Sequence, residues 1–383
     1  MTTYPKIITT IAPGYPKRTM ATTGSFPEKE LVVSGVFPKV RIVEEEGYPK
    51  ILLSTLLQQS TAILNGVQPY HYWDFTQDKA LFAQADVGAI TSTPNWSFTR
   101  ATTANYHNAD GTLTNFGSGV PRIGSRGLLV ELARTNLFLN SDTGATQNVT
   151  VTAAAHTLSF YGTGTITLSG VSTAGPLVGT GASTRVSLNF TPTAGLLTLT
   201  VSGTCTNVQL ELGTGASSYI STAGAAVTRN ADVAIVTTPG IVYPMSLWVE
   251  YEVFAVQNAG STLFRTDNGT NNERGAISLT VTNIPRFQVA TGAVSQGDIQ
   301  IGSAVTAGSI YKQGAVAATN RIQSALNGTL GTEDTVATMP TNPTTLRFGS
   351  NESGVSQPGV FIRRAAVFNS ALTDAQLRAI TNI

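Results

Sequence analysis

The sequence predicts an all-β protein: an extended repeat arm, one short helix, then two β-sandwiches of jelly-roll type. Three observations carry this. Short runs that alternate apolar and polar residues recur from Tyr70 onward, separated by Gly, Thr and Ser. Charged residues make up only 12% of the 383 while 41% are hydrophobic, so uncharged polar side chains supply the surface, as suits a sheet-rich protein. At the N-terminus, a proline every 11 residues forbids a continuous helix.

The repeat consists of Tyr4-Pro5, Tyr15-Pro16, Phe26-Pro27, Phe37-Pro38 and Tyr48-Pro49, with successive prolines 11 apart. Lys6, Lys17, Glu28, Lys39 and Lys50 follow the pairs, and Gly14, Gly24, Gly35 and Gly47 precede four of them. Proline also pushes the residue before it out of the helical region. Val40-Arg41-Ile42-Val43 is β-prone. Residues 1–50 are therefore expected as an arm of short strands and turns, one ring per step; a disordered Pro-rich tail is the alternative. Each unit is too small to bury a core, so an ordered arm needs a surface to lie on, either another protein or copies of itself. The ten aromatic and proline residues of the five pairs are the expected attachment residues.

Residues 51–69 are expected to hold a short helix. Ile51-Leu52-Leu53, Leu56-Leu57 and Ile63-Leu64 form a stripe at helical spacing that stops at Asn65-Gly66. It would serve as a self-association seam or pack on its own domain.

A first sandwich is expected over 70–235. Its strands carry Leu128 to Val130, Leu158 and Phe160, Ile166 and Leu168, Val186 to Phe190, Leu197 to Val201, and Val208 to Leu212, with Asp110-Gly111 as a hairpin turn. Gly213 to Thr238, rich in small residues, reads as a connector. A second sandwich is expected over 236–383. There Leu247, Val249, Tyr251 and Val253 face one way, and Trp248, Glu250 and Glu252 the other. Asn327-Gly328 is a strong hairpin signal. Val360 to Phe368 reads as a late strand, and Thr373 with Gln376 as the capping box of a closing helix.

A net charge of +1 gives no electrostatic case for nucleic acid or an anionic membrane. No apolar run reaches the length of a membrane span. No basic region followed by an apolar one marks a signal peptide, so an extracellular role is expected to need another route, such as release inside a particle. Cys205 is the only cysteine and reads as a small buried thiol.

Little in the sequence points to catalysis, and no cofactor or metal is expected. His71, His107 and His156 are far apart and fall in no metal-binding frame. Gly162-Thr163-Gly164 and Gly179-Thr180-Gly181 read as turns. Glu250 and Glu252, two apart on one strand face beside Trp248, have the spacing of a glycosidase carboxylate pair. The same face could hold glycan, with Trp248 as the stacking platform; the plain alternative is an ordinary amphipathic strand. Asp267-Asn268-Gly269 and Asn271-Asn272-Glu273 form an oxygen-rich loop that either holds Ca²⁺ or is simply solvated.

Two stretches carry a family resemblance. Phe98 to Ala104, Ala109-Asp110-Gly111, Val120-Pro121-Arg122, Gly127 to Glu131 and Arg134 to Leu137 together resemble a block of tailed-phage structural and tail-fibre proteins. Val208 to Gly213, Ser218-Tyr219-Ile220 and Ala226 to Arg229 resemble the end of the carbohydrate-binding-like sandwich that often follows that block. The last part is similar to the laminin-G/concanavalin-like jelly roll. The resemblance spans roughly 70–383 and leaves out the arm. It implies a non-enzymatic virion protein, serving as fibre, collar or surface decoration. The arm would bind other virion proteins, and fibre analogy implies a homotrimer. A host-polysaccharide-binding adhesin is the second reading, and a depolymerase the third.

Overall fold

The computed structural model describes Glu30–Leu31, Val40–Glu45 and Tyr48–Leu52 by their backbone, then Leu64, residues 66–257 and residues 260–382. The chain divides into two compact units, residues 1–62 and 63–383. The fold is all-β, as expected. Among the described residues, the only helix longer than a single turn is Asp374–Thr381.

In the first unit, Glu30–Leu31, Val40–Glu45 and Tyr48–Leu52 form a three-stranded antiparallel meander. Its register follows the repeat. Glu30 pairs with Arg41 and Arg41 with Leu52, so the third residue after each proline pairs with its equivalent in the next unit. Each of these three repeats thus supplies one strand. Tyr48 and Pro49 lie in the last strand, opposite Glu45 and Glu44. Tyr4, Pro5, Tyr15, Pro16, Phe26, Pro27, Phe37 and Pro38 lie outside the described residues. The helix expected from residue 51 begins instead as strand: Ile51 and Leu52 pair with Ile42 and Arg41. The β-branched run Val40 to Val43 offers them a ladder, and strand pairing overrides helical spacing at these two positions; residues 53–63 of the expected helix lie outside the described residues. Gly66 adopts φ +81° in a turn, in keeping with the stop signal.

The second unit is built from two sandwiches, but strand pairing crosses the boundary expected at residue 235. The jelly roll consists of a ten-stranded and a seven-stranded sheet. Val360–Phe368 lies at the centre of the larger sheet. On one side it pairs with Met245–Val253; on the other it pairs with His71–Asp74 and with Gly127–Val130. Trp96–Thr99 and Val233–Thr237 close the edge of the smaller sheet. Strands from 71–130 therefore complete a fold expected over 236–383 alone, and the Gly213 to Thr238 connector contains a core strand. Bringing the ends of the unit together buries one continuous core, in which Trp73, Tyr251, Phe264, Phe287 and Phe348 are fully buried. Gly127 permits the close approach to Val360–Phe368: a Cβ there would lie 2.3 Å from the Ile362 carbonyl oxygen.

The other sandwich is an insert. Arg134–Asn136 leads in and Val227–Arg229 leads out, paired antiparallel with each other. Between them, a four-stranded sheet packs on a three-stranded one around Phe138, Phe160, Leu199 and Leu210. Cys205 is buried in this core, as expected. The double-glycine turns lie between strands of the insert, with Gly162 and Gly181 at positive φ.

Smaller features also match the sequence reading. Asn327 and Gly328 both have positive φ (48° and 79°) and join Arg321–Leu326 to Thr329–Leu330 as a two-residue turn. The closing helix carries the Thr373–Gln376 capping box.

Candidate functional site

The outer face of the ten-stranded sheet carries the residues singled out for glycan contact. Leu247, Val249, Tyr251 and Val253 face the jelly-roll core, and Trp248 faces away from it, as the alternation predicts. That outer face is not open at Trp248. The closing helix lies across it, and Trp248 is 1% exposed in a second core with Tyr72, Phe368, Leu377 and Ile380. The stacking platform expected of Trp248 is therefore corrected. Its apolar ring is covered by the helix stripe it supports, and no flat face is left for a sugar.

Glu250 and Glu252 continue the row beyond the helix. The Glu250 carboxylate accepts from Arg363 Nε at 2.9 Å and lies 3.7 Å from Arg364 Nε. Glu252 accepts from Arg126 Nε at 3.1 Å and from its Nη2, and lies 3.5 Å from Arg363. A register shift between Glu250 and Tyr251 makes Arg363 an extra residue on its strand. Such a bulge re-aims a side chain, which places Arg363 beside Arg364 among the same carboxylates. The Arg126 guanidinium also lies 3.9 Å from the Phe361 ring centroid. Each carboxylate thus has two arginine partners. The arrangement is an ion-pair row, with each carboxylate engaged by arginines.

A second charged cluster lies where the chain enters and leaves the insert. Arg122 bridges Glu131 at 2.8 Å and Asp232 at 2.5 Å, and Arg100 reaches Asp232 at 3.0 Å. Arg229 stands 3.6 Å from Glu131 and 3.8 Å from Asp232. The four side chains of Arg100, Arg122, Glu131 and Asp232 have no exposed surface, and Arg229 is 1% exposed. Backbone donors complete it: Ser218 N bonds Glu131 at 2.7 Å, and Glu131 N bonds Asp232 at 3.0 Å. Nearby, Glu211 accepts from Ser217 N and Oγ and from Gln209. Most of these residues lie in the stretches that carry the family resemblance. Their role here is to hold the neck of the insert. One signal in the sequence pointed to them: Glu131 directly follows the apolar run Leu128-Leu129-Val130, so a carboxylate emerges from a buried strand.

The histidines are separate and structural. His71 hydrogen-bonds the Pro239 carbonyl at 2.7 Å and accepts from Ala83 N at 3.1 Å. His107 accepts from Tyr219 N at 3.0 Å, so its other ring nitrogen carries the proton toward Tyr161 Oη, 2.9 Å away. Burial lowers the His71 pKa to about 4, and burial with the Arg185 charge holds His107 well below its ordinary value. Burial alone would raise the Glu131 carboxyl, but Arg229, Arg122 and the Ser218 donors outweigh it and hold it well below the usual carboxylate range. All three groups are depressed, so their stabilisation is present above the unfolded pKa and is lost as pH falls toward the folded one. Stability measured by urea denaturation should fall by roughly 3 kcal/mol between pH 6.5 and 4 from His71 alone. A His71→Gln variant should show a flatter profile; an identical profile would remove His71 from this account.

In the oxygen-rich loop, protein donors use the side-chain oxygens. Asp267 accepts from Arg265, Arg347 and Gly269 N; Asn268 accepts from Thr270; Glu273 accepts from Gly292 N, Thr341 N and Thr291. Among the described residues, no group of three or more His, Cys, Asp or Glu has the arrangement of a metal site.

No family model matches the chain, and no curated protein matches it. Several solved structures are similar to part of it. One is the CBM40 of the Ruminococcus gnavus IT-sialidase bound to α2,3-sialyllactose, at 17% identity and TM-score 0.32, covering 37% of this chain and 84% of that one. Another is the NanB sialidase from Streptococcus pneumoniae, at 12% and 0.32, covering 38% and 26%. A third is the heptameric SAP-like pentraxin from Limulus polyphemus, at 15% and 0.29, covering 36% and 69%.

Proposed function

We propose that this chain is a non-catalytic structural protein of a tailed-phage virion, attached through its N-terminal arm and displaying the jelly roll with its inserted sandwich. The observation that carries this reading is the repeat. Five aromatic-proline pairs keep one period, and the described strands pair equivalent positions of successive units, Glu30 with Arg41 and Arg41 with Leu52. A three-stranded meander needs a hydrophobic face to be stable in water, and a surface packed beneath that face adds to its stability. A neighbouring virion protein supplies that surface, and fibre analogy adds a homotrimer. The ion-paired state of Glu250 and Glu252 supports a display role over a depolymerase.

Deleting residues 1–50 tests the proposal. The truncated chain should retain the thermal unfolding of the second unit and lose incorporation into particles, read by immunoblotting purified virions. Incorporation at the wild-type level without the arm would overturn it.

A further inference from the structure

A cleft of about 550 Å³ opens at the edge of the jelly roll, within the range of ligand sites. The turn after His71–Asp74, the Ile90–Ser92 turn and the segment from Phe116 to Ser125 line it. Its walls divide by chemistry. Phe116 and Pro121, both half-buried, form an apolar side. Gln77, Asp78, Thr91 and Ser125 stand exposed on a polar rim. Asp78 Oδ1 accepts from Ile90 N at 3.1 Å, which pins the turn and leaves the other carboxylate oxygen for a ligand. The side chains of Gln77, Thr91 and Ser125 are not spent on hydrogen bonds to other described residues. The wall is rigid: Gly124 lies so close to Tyr106 that a Cβ would fall 2.7 Å from the ring, and Tyr106 Oη bonds the Gly127 carbonyl at 3.1 Å.

We propose that this cleft binds a neutral oligosaccharide. A pyranose has an apolar C–H face and a hydroxyl edge. The first matches Phe116 and Pro121; the second matches an unspent carboxylate oxygen, an amide and two hydroxyls. Among the described residues no Lys, Arg or His lines the cleft, and Asp78 brings a negative charge, so a carboxylated sugar meets repulsion with no compensating cation from them. The pre-formed wall lowers the ordering cost of binding. The cleft takes the place of the Trp248 face as the sugar contact and does not depend on how the chain is attached.

The full chain would be applied to an array of neutral hexose and N-acetylhexosamine oligosaccharides, with sialylated and uronate glycans alongside. Neutral glycans should be retained and acidic ones not. Gln77→Ala combined with Thr91→Ala should weaken retention about tenfold. Ser125→Trp, which fills the mouth, should abolish it with an unchanged melting temperature. Absence of neutral-glycan retention, preference for the acidic glycans, or wild-type retention by Ser125→Trp would each overturn the proposal. The same variants should still enter particles, so a failure here leaves the attachment reading standing.

Discussion

Replacing Asp232 by Ala is expected to destabilise the second unit by about 3–5 kcal/mol, the range for removing one partner of a buried ion pair. Asp232 receives Arg100, Arg122 and the Glu131 backbone amide, with Arg229 a further 3.8 Å away. Its loss leaves three arginines against Glu131 alone in a site without exposed surface. The unsatisfied charges dominate the cost, since a buried pair taken as a whole contributes little net stability. Exchanging partners together for apolar residues should therefore cost less than removing Asp232 alone. Guanidinium denaturation of Asp232→Ala against wild type measures the effect. Arg286→Ala supplies the contrast: its pair with Asp298 is partly exposed and should contribute under about 1 kcal/mol. Equal losses in the two variants would mean that the buried network holds nothing special.

Trp248→Ala is expected to cost about 3–5 kcal/mol as well, by the cavity left when a buried aromatic is truncated. The effect should be local in character. The ring is the largest fully buried side chain of the core beneath the closing helix, where Leu377 and Ile380 rest. Hydrogen exchange should rise across Asp374–Thr381 before it rises in the central strands. Gly314, the cross-strand partner of Trp248, lies under the same helix: a Cβ there would lie 2.8 Å from Leu377. Exchange that stays slow in the helix of Trp248→Ala would show that the helix docks without the ring.

The strands themselves were legible. Period-two patterns mark Met245–Val253, His156–Gly162 and Gly195–Ser202, and they even assign Trp248 to the face opposite Leu247. Pairing partners were not legible, because alternation reports a face and not a neighbour. His71–Asp74 joins Val360–Phe368 across almost the whole second unit, a contact no local pattern encodes. That is why two sandwiches in sequence order proved to be one jelly roll with an insert. The Trp248 row misled for a related reason. A strand at the centre of a sheet can be covered on both faces, and a carboxylate on its outer side can meet arginines from distant segments, as Glu252 meets Arg126. The neck residues appeared in the sequence as a family-like block whose physical purpose, a buried charge network, depends on segments about 100 residues apart.

The neck has one more consequence. Because Arg134–Asn136 and Val227–Arg229 run side by side, the points where the insert departs and returns are adjacent strands, about 5 Å apart. A tight turn could close that gap, so the inserted sandwich is a cassette that can be exchanged without rethreading its host. The terms of exchange are set by Ser218, whose backbone donor reaches back to Glu131, and by Tyr219 and Tyr161, which bond His107 of the host. A replacement must bring its own donor to that carboxylate or inherit an unstable joint.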